Sequence, residues 1–258
     1  MALIKKFRIK KFKDNKTVLE LKEVSMFYNK RQILNNLNLT INKQEILGML
    51  GPNGVGKSTI FHIITGLKDP SFGKVLINGF DCTKLPIYER ATKFKIGYVP
   101  QYGGLIQDLS LLENLNLVGE IHIKENELRK NKIDKIISQF EFDPLLKIKA
   151  KHLSGGQKKK LVIGMALIND PTILLLDEPF AALDILTIKM LQEIIVNLQS
   201  LENITVVICD HQARDLLSCV DRAIVLSNGK IIASGSPDEI IQDSSAKSAY
   251  FGDEFKIN

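Results

Sequence analysis

The chain has no tryptophan, five tyrosines and only three cysteines in 258 residues. Cys82, Cys209 and Cys219 share neither metal-ligand spacing nor the pattern of a disulfide framework. They read as small apolar residues of a reducing compartment, the cytosol fitting best. Long apolar runs are missing too: nothing approaches the roughly 20 residues of a membrane-crossing helix, and the lysine-rich start lacks the unbroken apolar block of a signal peptide. Internal repeats and low-complexity linkers are absent. What remains is 45% hydrophobic, enough to fill a large core and to exclude disorder.

Net positive charge is missing once the first 16 residues are set aside. Lys5, Lys6, Arg8, Lys10, Lys11, Lys13 and Lys16 against Asp14 give that segment a surplus equal to the whole net charge of +6. With Leu3, Ile4, Phe7, Ile9 and Phe12 interleaved, such an extension can lie on an anionic membrane surface, each cation adding on the order of 1 kcal/mol. A solvated extension without a fixed role is the equal alternative. The neutral body, residues 17 to 258, argues against a wide phosphate-binding face, so no nucleic-acid partner is expected.

The body alternates short apolar runs with helical periodicity. Leu19 to Val24 and Leu37 to Ile41 read as strands, and Glu45 to Leu50 as a strand running into glycine. Thr172 to Leu176 and Thr205 to Cys209 are unbroken apolar runs of the kind found in parallel strands covered on both faces. Between them Ile185, Ile188, Leu191, Ile194, Ile195, Leu198 and Leu201 recur at the spacing of one buried helix face. Asn78-Gly79 and Asn228-Gly229 predict two-residue hairpins. Ser236, Pro237 and Glu239 predict a capped helix start. About 105 to 167 reads as a mostly helical insertion in an α/β core, and about 236 to 258 as a C-terminal tail.

Gly51, Pro52, Asn53, Gly54, Val55, Gly56, Lys57 and Ser58 match GxxxxGKS between a strand and a helix, with Thr59 next on the helix. That pattern cradles phosphates: backbone N–H groups curl around the oxygens and the helix N-terminus adds a positive dipole end. Lys57 is expected to reach the β and γ phosphates and Ser58 to ligate Mg²⁺. Asp177 and Glu178 close the run Ile173 to Leu176 at a carboxyl strand end, where α/β sheets bind ligands. Asp177 is assigned to the Mg²⁺ shell and Glu178 to polarising the attacking water as general base.

Leu153, Ser154, Gly155, Gly156 and Gln157 spell LSGGQ between that loop and those acids, and with this motif the chain resembles the ABC ATPases over residues 17 to 258. The resemblance implies an α/β phosphate-loop fold with a RecA-like core, an antiparallel β subdomain and an α-helical subdomain. It implies ATP and Mg²⁺ as cofactors. It also implies that Tyr28 stacks on adenine, that Gln101 contacts Mg²⁺, that Ala181 to Asp184 is the loop facing a second subunit, and that His211 contacts the γ-phosphate. His62, His122 and His152 are left as structural or surface residues. Ser154 to Gln157 would meet the γ-phosphate held by the opposite subunit, so a homodimer with two working sites is implied.

Within the family, the tail from Tyr250 to Phe255, together with Asp177 to Ala181 and Ile96 to Gln101, is most similar to the lipopolysaccharide-export ATPases. The branched-chain amino-acid importers are the alternative. Two integral-membrane partner subunits and a place on the cytoplasmic face of the inner membrane follow from the first reading. Two departures stand out: Ile106-Gln107 where the export group commonly has Phe-Arg, and Met165 where an arginine is frequent. Leu105, Ile106, Leu109, Leu111 and Leu112 are candidates for lining the groove that receives the membrane partners, with core packing the alternative for most of the leucines. A soluble ABC ATPase acting on nucleic acid or ribosomes is the reading from another class. It fits less well, because the stretch from Gly51 to Ser154 carries no sustained heptads.

Overall fold

The computed structural model describes residues 16–252; the basic segment up to Asn15 and the end of the tail from Asp253 lie outside them. Two sheets organise the chain. The first holds β1 (Thr17–Tyr28), β2 (Arg31–Asn42), β4 (Phe72–Ile77) and β5 (Phe80–Asp81) in the antiparallel order β2-β1-β4-β5. The second has the order β10-β9-β3-β8-β7-β6, built from β3 (Ile46–Leu50), β6 (Ile96–Val99), β7 (Ile173–Asp177), β8 (Thr205–Cys209), β9 (Arg222–Ser227) and β10 (Lys230–Gly235). Its strands run parallel except for the β9–β10 hairpin. Both Asn-Gly pairs sit at hairpin turns, each residue with positive φ.

The unbroken apolar runs are what the central strands require. All five residues of β3, β7 and β8 are buried, because the sheet is covered on both faces. Side chains then alternate between two cores. Leu47, Met49, Ile173, Leu175 and Val207 face a core shared with the antiparallel sheet and with α1 (Lys57–Thr65). Leu50, Leu174, Leu176, Val206 and Ile208 face the other, which is shared with helices. Those helices are α3 (Leu111–His122), α4 (Asn126–Phe140), α5 (Gly155–Leu167), α6 (Ile185–Ser200) and α7 (Ala213–Cys219); α2 (Ile87–Lys93) precedes β6 and α8 (Pro237–Gln242) follows β10.

One expectation needs correction. On α6, Ile188, Leu191, Ile194, Ile195 and Leu198 are buried as the spacing predicts, but Ile185 and Leu201 are 72% and 74% exposed. They stand at the two ends of the helix, beyond the layer its middle turns cover. Leu111 belongs to the helical core, with Leu105 and Leu112 packed against it, in line with the core alternative for these leucines. Ile106 stays exposed. Its N–H donates to Asn114 Oδ1, and the Asn114 amide donates in turn to the carbonyls of Ile106, Leu109 and Ser110. One buried asparagine thus shapes the whole entry to α3.

Arg90 is fully buried, and its hydrogen bonds go to backbone carbonyls. Its guanidinium donates to the carbonyls of Ile63 and Ile64 in the last turn of α1, and to those of Thr83 and Leu85 in the loop after β5. Burial pulls its pKa below the usual arginine value, but the four carbonyls and the negative end of α1 keep the cation useful there. Replacing Arg90 by Met is expected to strand these carbonyls and lower stability by about 3 kcal/mol, read as a shift in the urea midpoint; a shift indistinguishable from zero would mean that water replaces the guanidinium.

Candidate active site

Leu50 ends β3, and the next six residues turn the chain into α1. Gly56 takes the N-cap position with φ 112°, and a Cβ there would lie 2.7 Å from Leu34 Cδ2, so only glycine closes this loop onto the β2 side of the core. Pro52, Asn53 and Gly54 form the exposed rim, Val55 packs inward, and Ser58 and Thr59 are half-buried. Lys57 is curled into its own loop, donating from Nζ to the carbonyls of Gly51 at 2.6 Å and Pro52 at 3.1 Å. Burial holds this ammonium below the usual lysine value, while nearby Glu178 and Asp177 work against the shift. No acid occupies the first turn of α1, leaving its N-terminus suited to an anion.

The acids sit level with that loop because β7 and β8 are paired with Asp177 opposite Cys209. Asp177 is 3% exposed. Ser58 Oγ lies 3.3 Å from its Oδ1, the Tyr98 hydroxyl 3.3 Å from its Oδ2, and Cys209 Sγ 2.7 Å from Oδ1. Glu178 continues the ladder by one bond, its N–H donating to the Cys209 carbonyl at 2.7 Å. Its φ of 47° is a left-handed value that costs a side-chain-bearing residue on the order of 1 kcal/mol or more. Gln101 Nε2 donates to Glu178 Oε2 at 2.6 Å, and His211 Nδ1 lies 3.5 Å from the same oxygen. The structure therefore brings Lys57, Ser58, Gln101, Asp177, Glu178 and His211 into one cluster.

The remaining candidates stand apart from that cluster. Ser154 caps α5 through a reciprocal box: its Oγ accepts from Gln157 N–H, and Gln157 Oε1 accepts from Ser154 N–H. Gly156 is held against α6, where a Cβ would lie 2.6 Å from Thr187 Cγ2. Gly155 lies alongside Leu183. Asp184 caps α6, accepting from the N–H and hydroxyl of Thr187. Tyr28 ends β1 with its ring 40% exposed. His62 meets the Tyr98 ring edge-on at 6.3 Å, in keeping with a structural role.

Several residues of the site were not singled out from the sequence. The fully buried Asp210 carboxylate accepts from Phe180 N–H and Gln212 N–H, both at 2.9 Å, joining the loop after β7 to the loop after β8; burial pushes its pKa up. Cys209, expected to be a plain apolar residue, is a donor to Asp177, its thiol held protonated chiefly by burial. Lys159 reaches from α5 to donate to the Gln101 carbonyl at 3.3 Å. The Tyr250 hydroxyl donates to the His211 carbonyl at 2.8 Å, and burial pushes this phenol up to about 12. A cavity of about 520 Å³ lies between that tail segment and residues 211 to 215. Cys209 and Asp210 adjoin His211 in sequence, whereas Lys159 on α5 and Tyr250 in the tail are 58 and 39 residues from the groups they meet.

Comparison with known proteins gives concordant findings. A family model described as ABC transporter matches residues 34–181. The lipopolysaccharide export system ATP-binding protein LptB of Haemophilus influenzae is 36% identical over 242 residues, covering 93% of this chain and 100% of its own. Its counterpart in Escherichia coli is 35% identical, with coverage of 93% and 99%. An uncharacterised ABC transporter ATP-binding protein of Rhizobium meliloti is 36% identical over 89% of this chain and 84% of its own. Among solved structures, a nucleotide-free ATP-binding cassette from an ABC transporter superposes with a TM-score of 0.83 at 27% identity, over 92% of this chain and 100% of its own. A dimeric post-hydrolysis cassette bound to ADP and phosphate gives 0.76 at 30% identity, over 85% and 98%.

The tail contact at His211 is open to a direct test. Tyr250→Phe keeps the ring and removes one hydrogen bond, worth about 1 kcal/mol. Amide hydrogen exchange across residues 210 to 214 is expected to rise by about fivefold; unchanged exchange would show that the tail does not hold this loop.

Proposed function

The chain belongs to the ABC transporter family as an ATP-binding, ATP-hydrolysing subunit, and from that footing we propose that two copies pair to complete two ATP sites and drive lipopolysaccharide export. The observation that carries the catalytic part is the convergence of Gln101 and His211 on one oxygen of Glu178. A carboxylate held there by Gln101 and His211, one residue beyond a metal-type aspartate, is placed to take a proton from water.

The residues divide the work as follows. Backbone N–H groups of Gly51 to Ser58, with Thr59 behind them, cradle the phosphates; Lys57 leaves its own loop carbonyls for the β and γ phosphates. Tyr28 offers its exposed ring to the adenine. The Ser58 hydroxyl and the Asp177 carboxylate, 3.3 Å apart, are hard oxygen donors of the kind that suits Mg²⁺, and Gln101 has its amide oxygen left for the same shell. When bound, the ion neutralises charge on the phosphate oxygens. Glu178 orients and deprotonates the attacking water, and His211 steadies the γ-phosphate. Ser154 to Gln157 and Asp184 face outward to the ATP held by the second copy.

The lipopolysaccharide reading is supported by the near full-length match to two export-system ATP-binding proteins. Among the described residues no helix is long and apolar enough to cross a membrane, so the pathway for cargo belongs to two membrane partner subunits. The chain acts on the cytoplasmic face of the inner membrane, without nucleic acid. Exposed Tyr102 and Ile106, in the segment after Gln101, are the contact surface for those subunits.

Glu178→Gln is expected to lower steady-state hydrolysis by about 100-fold or more while ATP-bound dimers accumulate on size exclusion; near-normal turnover would remove Glu178 as the base. Ser154→Arg is expected to abolish hydrolysis yet leave ATP binding to monomers, and activity surviving at low protein concentration would reject the shared site. Purification from the native membrane is expected to bring down two membrane subunits of the lipopolysaccharide-export type; importer-type subunits would overturn the choice of cargo.

A further inference from the structure

Asp177 is approached by more donors than a metal-binding carboxylate needs from its phosphate loop. Ser58 and Cys209 both lie against Oδ1, and Tyr98 lies against Oδ2. The last two come from the strands flanking β7: Tyr98 from β6 and Cys209 from the end of β8. Cys209 is fully buried, directly across the ladder from Asp177. Tyr98 is fixed from behind by α1, its ring edge-on to Phe61 at 6.1 Å and to His62 at 6.3 Å.

We infer that Cys209 and Tyr98 are positioning residues that hold the two oxygens of Asp177 from opposite sides and thereby set the affinity of the site for Mg²⁺ with nucleotide. The inference rests on the Mg²⁺ role given to Asp177 above. A carboxylate on a single methylene turns easily about its last torsion. Donors on both oxygens fix the plane of the group, and so fix which lone pairs face the ion. When Ser58 turns its hydroxyl to the metal, Cys209 and Tyr98 are the two that remain on the carboxylate. An apolar residue at 209, extending the run from Val206 to Ile208, would fill the space and leave Oδ1 without that donor.

The test uses the full chain, Mn²⁺ as the spectroscopic probe and a non-hydrolysable ATP analogue, with Mn²⁺ binding followed by electron paramagnetic resonance. Cys209→Ala and Tyr98→Phe are each expected to weaken Mn²⁺ binding by about tenfold, with nucleotide binding in EDTA unchanged. Cys209→Ser, which restores a donor, is expected to return to within about twofold of the parent. Should Cys209→Ala fail to fold, Tyr98→Phe decides, since it keeps the ring against Phe61. Parental Mn²⁺ affinity in these variants would overturn the inference, as would Cys209→Ser binding as weakly as Cys209→Ala, which would reduce Cys209 to a filler of volume. A parent that binds nucleotide but no Mn²⁺ would instead overturn the metal role of Asp177 itself.

Discussion

The register between β7 and β8 is the constraint on which the site depends. Asp177 stands opposite Cys209, so the two strands end level and their loops leave the sheet side by side. The bond from Glu178 N–H to the Cys209 carbonyl carries the pairing one residue past the strand, and Asp210 then accepts an N–H from each loop. A slip of one residue would turn every side chain to the opposite face, exchanging Leu174 and Leu176 for Leu175 between two packed cores. Burial on both sides forbids that slip. The hydrophobic run is therefore also what places Glu178 within reach of Gln101 and His211.

Polar joints complete what the apolar packing begins. Arg90 ties the end of α1 to the loop after β5, and Asn114 folds residues 105 to 110 against the start of α3. Each is fully buried and fully partnered, chiefly by backbone carbonyls, the arrangement that makes a buried polar group stabilising rather than costly. Along the chain one joint comes before the segment from β6 to Gln101 and the other after it. Lys159 adds a third tie, from α5 to the carbonyl of Gln101 itself.

Features written in consecutive residues were legible beforehand, and features made by strands meeting were not. The two Asn-Gly turns, the Ser236 cap, the phosphate loop and the strand ending in Asp177 each have a local cause: positive φ, a reciprocal cap, a glycine run, a buried apolar stretch. The periodicity of α6 was equally plain, yet it could not say where the covering layer stops, so Ile185 and Leu201 were misread. Cys209 looked apolar because its neighbours are; its partner lies 32 residues away, on another strand. Tyr98, Asp210 and Tyr250 share that character. Arg90 carried no sign of burial, because half the carbonyls that hold it come from the end of α1, 26 and 27 residues away.

Three helices begin with the same reciprocal box, at Ser110, Ser154 and Ser236, but they differ electrically. Glu113 and Glu239 close two of them, each setting a carboxylate over the exposed N–H groups and neutralising the positive end of its helix dipole. Gln157 closes the third with a neutral amide. No acid lies in its first turn, and Lys158 and Lys159 follow at once. The box at Ser154 therefore gives α5 the same fixed geometry as the other two while leaving its positive end uncompensated, a helix start made rigid without being discharged.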